Sequence, residues 1–99
     1  MARVGTPYEI PMSSVKRKQA SIKLRAIRKK CGLTFAEVYA RSQVIAKELG
    51  RREFLIPPSR LHDLEVGEMV PSVFRTYTLA RVYRSSVSTI LSWYGIPEL

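Results

Sequence analysis

Side chains that could carry out catalysis or bind a metal ion are few in this sequence. His62 is its only histidine and Cys31 its only cysteine, and neither has a second ligand or a nucleophile partner at a usable spacing. The sequence also lacks a glycine-rich phosphate loop and paired carboxylates in an apolar setting. We therefore predict a protein that is not an enzyme and that holds no metal ion, cofactor or small-molecule ligand.

A single cysteine cannot form an internal disulfide bond, which is typical of proteins from a reducing compartment. Cys31 falls at the end of an apolar stripe, so the role of a small buried hydrophobe is favoured over that of a reactive thiol. No apolar run approaches the ~18 residues of a membrane span, and the N-terminus has no signal-peptide core. These features predict a cytoplasmic protein without a membrane segment.

The charged residues are distributed unevenly along the chain. Seventeen Lys and Arg against eight Asp and Glu give a net charge of +9. Residues 1–30 hold nine of the basic side chains and one acid, whereas the rest of the chain is nearly balanced. A basic block on a nearly neutral remainder is typical of proteins that bind a polyanion, most often a nucleic acid. The alternative is a solvated face that confers solubility.

The stretch from Gly32 to Glu37 predicts the boundary between two helices. Gly32 ends the first helix, and Thr34 and Glu37 have the spacing of a capping box that begins the second. Leu33 and Val38 occupy the two hydrophobic-staple positions on either side of the box. A basic helix is thus joined by a short link to an amphipathic one.

Apolar periodicity and helix-boundary residues predict an all-α protein of five helices, with residues 1–12 as a flexible N-terminal arm and 13–99 as the domain. The helices are expected to begin near Ser13 or Ser14, Thr34, Ser59, Ser72 and Ser85 or Ser86. Their inward-facing residues are predicted to be Ala20, Leu24, Ile27 and Cys31; Phe35, Val38, Ser42, Ile45 and Leu49; Leu61 and Leu64; Val73, Thr76, Leu79, Ala80 and Tyr83; and Val87, Ile90 and Leu91.

Three groups of residues occur in register between positions 18 and 92. They are Leu24, Ile27, Arg28, Gly32, Leu33, Thr34 and Glu37; Ser59, Leu61, Leu64, Glu65, Gly67 and Pro71-Ser72; and Leu79-Ala80 with Val87, Ile90 and Leu91. This pattern resembles the lambda-repressor-like helix-turn-helix family, the xenobiotic-response-element or Cro type of bacterial and phage regulators. The resemblance implies a nucleoid-associated, sequence-specific transcriptional regulator, a repressor, that binds double-stranded DNA.

The resemblance also implies roles for individual residues. The third helix would enter the major groove, and the candidates for contacts to bases and phosphates are Ser59, Arg60, His62 and Asp63. Ser59 could instead be a helix cap, and His62 could be plain surface. Phosphate contacts are expected from the helix-one residues Lys16, Arg17 and Lys18 and from Arg75.

An arginine of helix one is expected to pair with the glutamate that ends the recognition helix, here Arg28 with Glu65. Such a pair would hold helix one against helix three and keep the guanidinium near a phosphate. The alternative is a surface ion pair that contributes little.

The sequence departs from the family pattern in the segment 42–57, where about a dozen additional residues separate helices two and three. Nine extra helical residues, Ser42 to Gly50, would advance ~13 Å, and an extended Arg51–Pro57 could return ~20 Å. We therefore predict an extended second helix that projects as a helical horn. Phe35 also departs from the pattern and is expected to serve packing.

Two protein partners are also predicted, one from the residues near the expected DNA interface and one from the C-terminus. Asp63 and Glu68 oppose phosphates, so the same fold could instead serve as a protein-interaction module, an antitoxin-like or accessory subunit. The apolar C-terminus is expected to form partly a lid on the core and partly a homodimer surface. The residues concerned are Trp93, Tyr94, Ile96 and Leu99.

Overall fold

The computed structural model describes residues 14–97, and every regular element in that range is helical. The helices are α1 (Ser14–Lys30), α2 (Phe35–Leu49), α3 (Pro58–Glu65), α4 (Val73–Val82) and α5 (Val87–Trp93), with a 3-10 turn at Arg52–Phe54. The predicted all-α class and the five helices are thus confirmed. The predicted arm 1–12 and the candidate dimer residue Leu99 lie outside the described residues. None of the described helices is long and apolar enough to cross a membrane.

Polar side chains cap the N-termini of three helices at the positions that the sequence predicted. The Thr34 hydroxyl accepts from the Glu37 amide (3.1 Å), and the Glu37 carboxylate accepts from the Thr34 amide (2.8 Å). The hydrogen bond from the Thr34 amide lowers the pKa of the Glu37 carboxyl group. The hydroxyls of Ser72 and Ser86 cap α4 and α5 by accepting from the amides of Arg75 and Thr89, without the reciprocal carboxylate. The cap predicted at Ser59 is wrong, because Pro57 is the residue before α3 and Pro58 occupies its first position.

One apolar core receives side chains from all five helices. Leu24 of α1, Val38 of α2, Leu61 and Leu64 of α3, Leu79 of α4 and Ile90 of α5 are all fully buried. Each lies on the stripe that the helical spacing predicted, so the core positions of α3 are confirmed. The two leucines of α3 fix which side of that helix remains outside.

Three predicted core residues lie at helix ends and are exposed. Cys31 follows the last residue of α1, and its side chain is exposed rather than buried. Leu49 ends α2 and is 40% exposed, and Val73 begins α4 and is 72% exposed. The described part of the chain leaves these terminal positions exposed, although helical spacing alone assigns them to the inner face.

The second helix extends to Leu49 as predicted, but the prediction that it projects as a horn is wrong, because the inserted segment lies against α2 and α4. The Ile56 amide donates to the hydroxyl of Ser42 (3.0 Å), and Ile56 is fully buried. The Thr78 hydroxyl donates to the carbonyl of Phe54 (2.8 Å). Side chains of α2 and α4 therefore satisfy backbone groups of the connector and hold it on the domain.

Aromatic packing holds the 3-10 turn in the same place. The Phe54 ring meets the rings of Phe74 (centroids 5.3 Å apart) and Tyr77 (5.6 Å) edge-on. The Arg51 guanidinium lies 4.7 Å from the centre of the Phe74 ring. The insertion is thus a fixed support that leads directly into α3.

Candidate nucleic-acid interface

The outward side of α3 is open to solvent. Leu61 and Leu64 face the core, whereas Ser59, Arg60 and His62 are exposed and Asp63 is half-buried. The structure therefore places all four sequence-predicted candidates of α3 off its buried face. The inserted segment does not cover them.

Within α3, Asp63 lies close to both of the positively chargeable candidates. One Asp63 carboxylate oxygen is 3.8 Å from Arg60 Nη1, and the other is 3.6 Å from His62 Nδ1. Both distances exceed that of a good hydrogen bond. Asp63 thus reduces the positive charge of this surface but forms no short hydrogen bond with Arg60 or His62.

The predicted ion pair between Arg28 and Glu65 is present and clamps α1 to the end of α3. Arg28 donates to the two carboxylate oxygens at 2.6 and 2.9 Å, and a third donor reaches the Leu33 carbonyl at 2.9 Å. The two side chains are only 13% and 5% exposed. The hydrogen bond to Glu65 raises the pKa of Arg28.

The same guanidinium lies 4.6 Å from the centre of the Phe35 ring at the start of α2, so Phe35 serves packing as expected. Arg28 thereby links α1, α2 and α3. Because three of its donors are used inside the domain, its contact to a phosphate stays a prediction.

The Arg75 guanidinium is held beside the segment that leads into α3, within electrostatic range of Arg60. Arg75 Nε donates to the Leu55 carbonyl (2.8 Å), three residues before α3 begins. Burial lowers the pKa of Arg75, and the charge of the nearby Arg60 lowers it further. Like charges repel each other, and a bound anion would relieve that repulsion.

The predicted trio of Lys16, Arg17 and Lys18 does not form one surface. The Lys18 amine donates to the Val66 carbonyl at the end of α3 (2.6 Å), and a Cβ on Gly67 would lie 2.9 Å from Lys18 Cδ. Lys16 instead packs its stem against Gly95 beyond α5, and Arg17 is half-buried. Of the three, Lys18 alone is seen against the end of α3.

Sequence reasoning missed Arg25, an exposed residue of α1 that lies beside α3. It lines a shallow depression together with Arg28, Phe35, His62, Glu65 and Val66. Its position seven residues after Lys18 and three before Arg28 is the signal that could have identified it, since helical spacing puts all three toward one side.

Taken together, the surface around α3 offers hydrogen-bond donors in its centre and cations at its edges. The central groups are Ser59, Arg60 and His62, and the flanking cations are Lys18, Arg25 and Arg75. Comparisons of the chain with protein-family models, with curated proteins and with solved structures found no match.

Proposed function

We propose that the protein is a sequence-specific, double-stranded-DNA-binding transcriptional regulator that acts as a repressor through a lambda-repressor-like arrangement of helices. One observation carries the proposal: α3 buries Leu61 and Leu64 completely while Ser59, Arg60 and His62 remain exposed. A short helix anchored on one side and polar on the other is suited to enter a major groove.

In this proposal the centre of α3 reads base edges. Arg60 can donate two hydrogen bonds to a guanine, and Asp63 can accept from a cytosine amino group. Asp63 is also close to Arg60 in the free protein. On binding DNA, the Arg60 guanidinium would leave this carboxylate and donate its hydrogen bonds to a base instead.

Contacts to phosphates come from the edges of the same surface. Arg75 and Arg60 would share a phosphate at the start of α3, while Lys18 and Arg25 would contact the strand on the other side of the groove. The ion pair between Arg28 and Glu65 holds α1 against α3 and so keeps these groups in position. Such contacts position the protein without selecting a sequence.

The proposal is tested by selecting duplexes from a random pool and comparing their affinity with that of unselected duplexes. We expect Arg60→Ala to weaken binding to the selected duplex by about 1–3 kcal/mol, because it removes a base contact. Arg84→Ala is the matched control, since Arg84 is an exposed arginine near Cys31 and Arg41, away from α3. Equal affinity for selected and random duplexes would contradict sequence-specific recognition.

We further propose that the DNA-bound form is a homodimer, as is common for helix-turn-helix proteins that read paired half-sites. Ile96 is 46% exposed and Trp93 is half-buried, so both are accessible to a second copy. Tyr94 does not belong to this surface, because it is 4% exposed and packs in the core. Sedimentation of the protein on a single selected duplex tests the stoichiometry.

A protein-interaction module is the second candidate, and the half-buried Asp63 on the outward side of α3 is the observation that favours it. A carboxylate there opposes phosphates but can pair with a basic partner. Failure to enrich any duplex at low salt, together with recovery of one stoichiometric protein partner that Asp63→Asn no longer binds, would establish this function instead.

A further inference from the structure

The side of α1 that faces away from the core carries an apolar ridge. Its apolar residues are Val15 and Ile22, which are 63% and 67% exposed, and the smaller Ala26, which is also exposed; the polar Gln19 is exposed between Val15 and Ile22. These four residues follow each other at intervals of four, three and four residues. That alternation is the spacing of the a and d positions of a coiled coil, with Val15 and Ile22 at d.

The positions that flank this ridge are all basic. In the same register, positions e and g are Lys16, Lys18, Lys23, Arg25 and Lys30. The helix contains no acidic residue. In coiled coils, the e and g residues pair with the partner helix and decide which partner is accepted.

The register agrees with the way α1 sits on the domain. Position f, which lies farthest from a coiled-coil seam, is occupied by Arg17 and Leu24, and Leu24 is fully buried. At about 100° per residue, the ridge therefore points away from the core. The domain already holds this helix folded, so a partner would lose less free energy to ordering.

We propose that the outer face of α1 docks an acidic amphipathic helix of a partner protein. Apolar residues of that helix would cover Val15 and Ile22, and its carboxylates would pair chiefly with Lys23 and Lys30. A second copy of α1 does not fit, because its basic flanks would repel. A DNA duplex satisfies the charges but offers no surface that covers the apolar ridge. The inference goes beyond DNA binding and does not depend on it.

The probe is a fluorescein-labelled synthetic helix of about three heptads, with leucine at a and d and glutamate at e and g. Its control is a peptide of the same composition with scrambled order. Fluorescence anisotropy should show binding at least about tenfold tighter for the ordered peptide, because apolar and charged contacts then coincide.

The substitution Ile22→Glu should weaken binding of the ordered peptide at least about tenfold, since it places a carboxylate in the seam. Val44→Glu is the matched control, because Val44 of α2 is also 67% exposed and lies off this face. Circular dichroism confirms that both variants fold. Affinity for a DNA duplex, measured in parallel, should be the same for Ile22→Glu and Val44→Glu.

Equal binding of the ordered and scrambled peptides would overturn the proposal, because attraction between net charges would then explain the binding. Equal weakening by the two substitutions, or no binding of either peptide, would also overturn it. A selective loss of duplex affinity in Ile22→Glu would assign this face to nucleic acid. A negative result with the peptides would not change the outcome of the duplex selection with Arg60→Ala. The two proposals can therefore be rejected independently.

Discussion

Among single residues, Arg28 and Glu65 contribute most to the position of α3. Their two short hydrogen bonds and low exposure distinguish them from the exposed pair Arg51–Glu53, whose side chains are 54% and 51% exposed. The family resemblance predicted the pair from its register. The exposure of Cys31 and the failed cap at Ser59 could not be predicted, because burial and capping at a helix end depend on where the chain goes next.

We expect Glu65→Gln to lower the free energy of unfolding by about 3 kcal/mol, because it leaves the charge of Arg28 without its partner in a nearly buried site. Glu53→Gln is the control and should cost less than about 1 kcal/mol, since that pair is exposed. Urea denaturation followed by circular dichroism measures both. Similar losses for the two variants would show that the Arg28 clamp is no stronger than a surface pair.

Tyr94 gives a prediction for alkaline pH. Burial raises its pKa from 10.0 to about 12, and burial also raises the pKa of Tyr83. The unfolded chain therefore loses these protons first, so the stability is fully present below pH 10 and is lost as pH rises toward about 12. For Tyr94 the loss is on the order of 2 kcal/mol.

The measurement is the urea midpoint at pH 9 and pH 11 for the protein and for Tyr94→Phe. The variant should lose less stability between the two values, because it lacks one of the raised phenols. An identical loss in both proteins would mean that Tyr94 ionises as readily in the folded state as in the unfolded one.

At the scale of elements, the inserted segment acts as a support for α3. Chain length alone allowed it either to project or to pack, and the contacts that decide between the two are remote in sequence. Thr78 and Phe54 are 24 positions apart, and Arg75 and Leu55 are 20 apart. Helical periodicity found the five helices and their core stripes, whereas no local pattern indicates such pairings.

We expect Ser42→Ala to destabilise the protein by about 1–3 kcal/mol, because it leaves the buried Ile56 amide without an acceptor. Since Ile56 leads into α3, the variant should also bind its selected duplex more weakly. Ser88→Ala, at an exposed position of α5, is the control for removal of a serine hydroxyl. Unchanged stability and unchanged duplex affinity in Ser42→Ala would show that the connector does not position α3.

Across the whole molecule, the positive charge is divided between two surfaces. Arg60 and Arg75 lie near the start of α3, and Lys23 and Lys30 flank the far side of the outer ridge of α1. Lys18 and Arg25 lie on the edge of α1 that is next to α3. The sequence predicted the basic block and its excess correctly but not this division, which depends on the rotation of α1 against its neighbours. The number of cations that can contact one partner is therefore smaller than the net charge of +9 suggests.

The division predicts a modest salt dependence of DNA binding. With the four cations around α3 in contact with phosphates, the logarithm of the binding constant should fall with the logarithm of salt concentration at a slope of about −3 to −4 per protomer. Lys18→Ala should reduce the slope by about 1, and Lys23→Ala should leave it unchanged. A slope that both substitutions reduce equally would indicate that the outer face of α1 also contacts the duplex.

The most direct test of the central claim is an NMR titration of the isotope-labelled protein with its selected duplex. We predict that the largest amide shifts fall in residues 59–63, with smaller ones at Lys18, Arg25 and Arg75, and that amides of α2 around Val44 do not move. Amide shifts concentrated on the outer side of α1 or between α2 and α4, with the amides of residues 59–63 unmoved, would contradict recognition of DNA by α3.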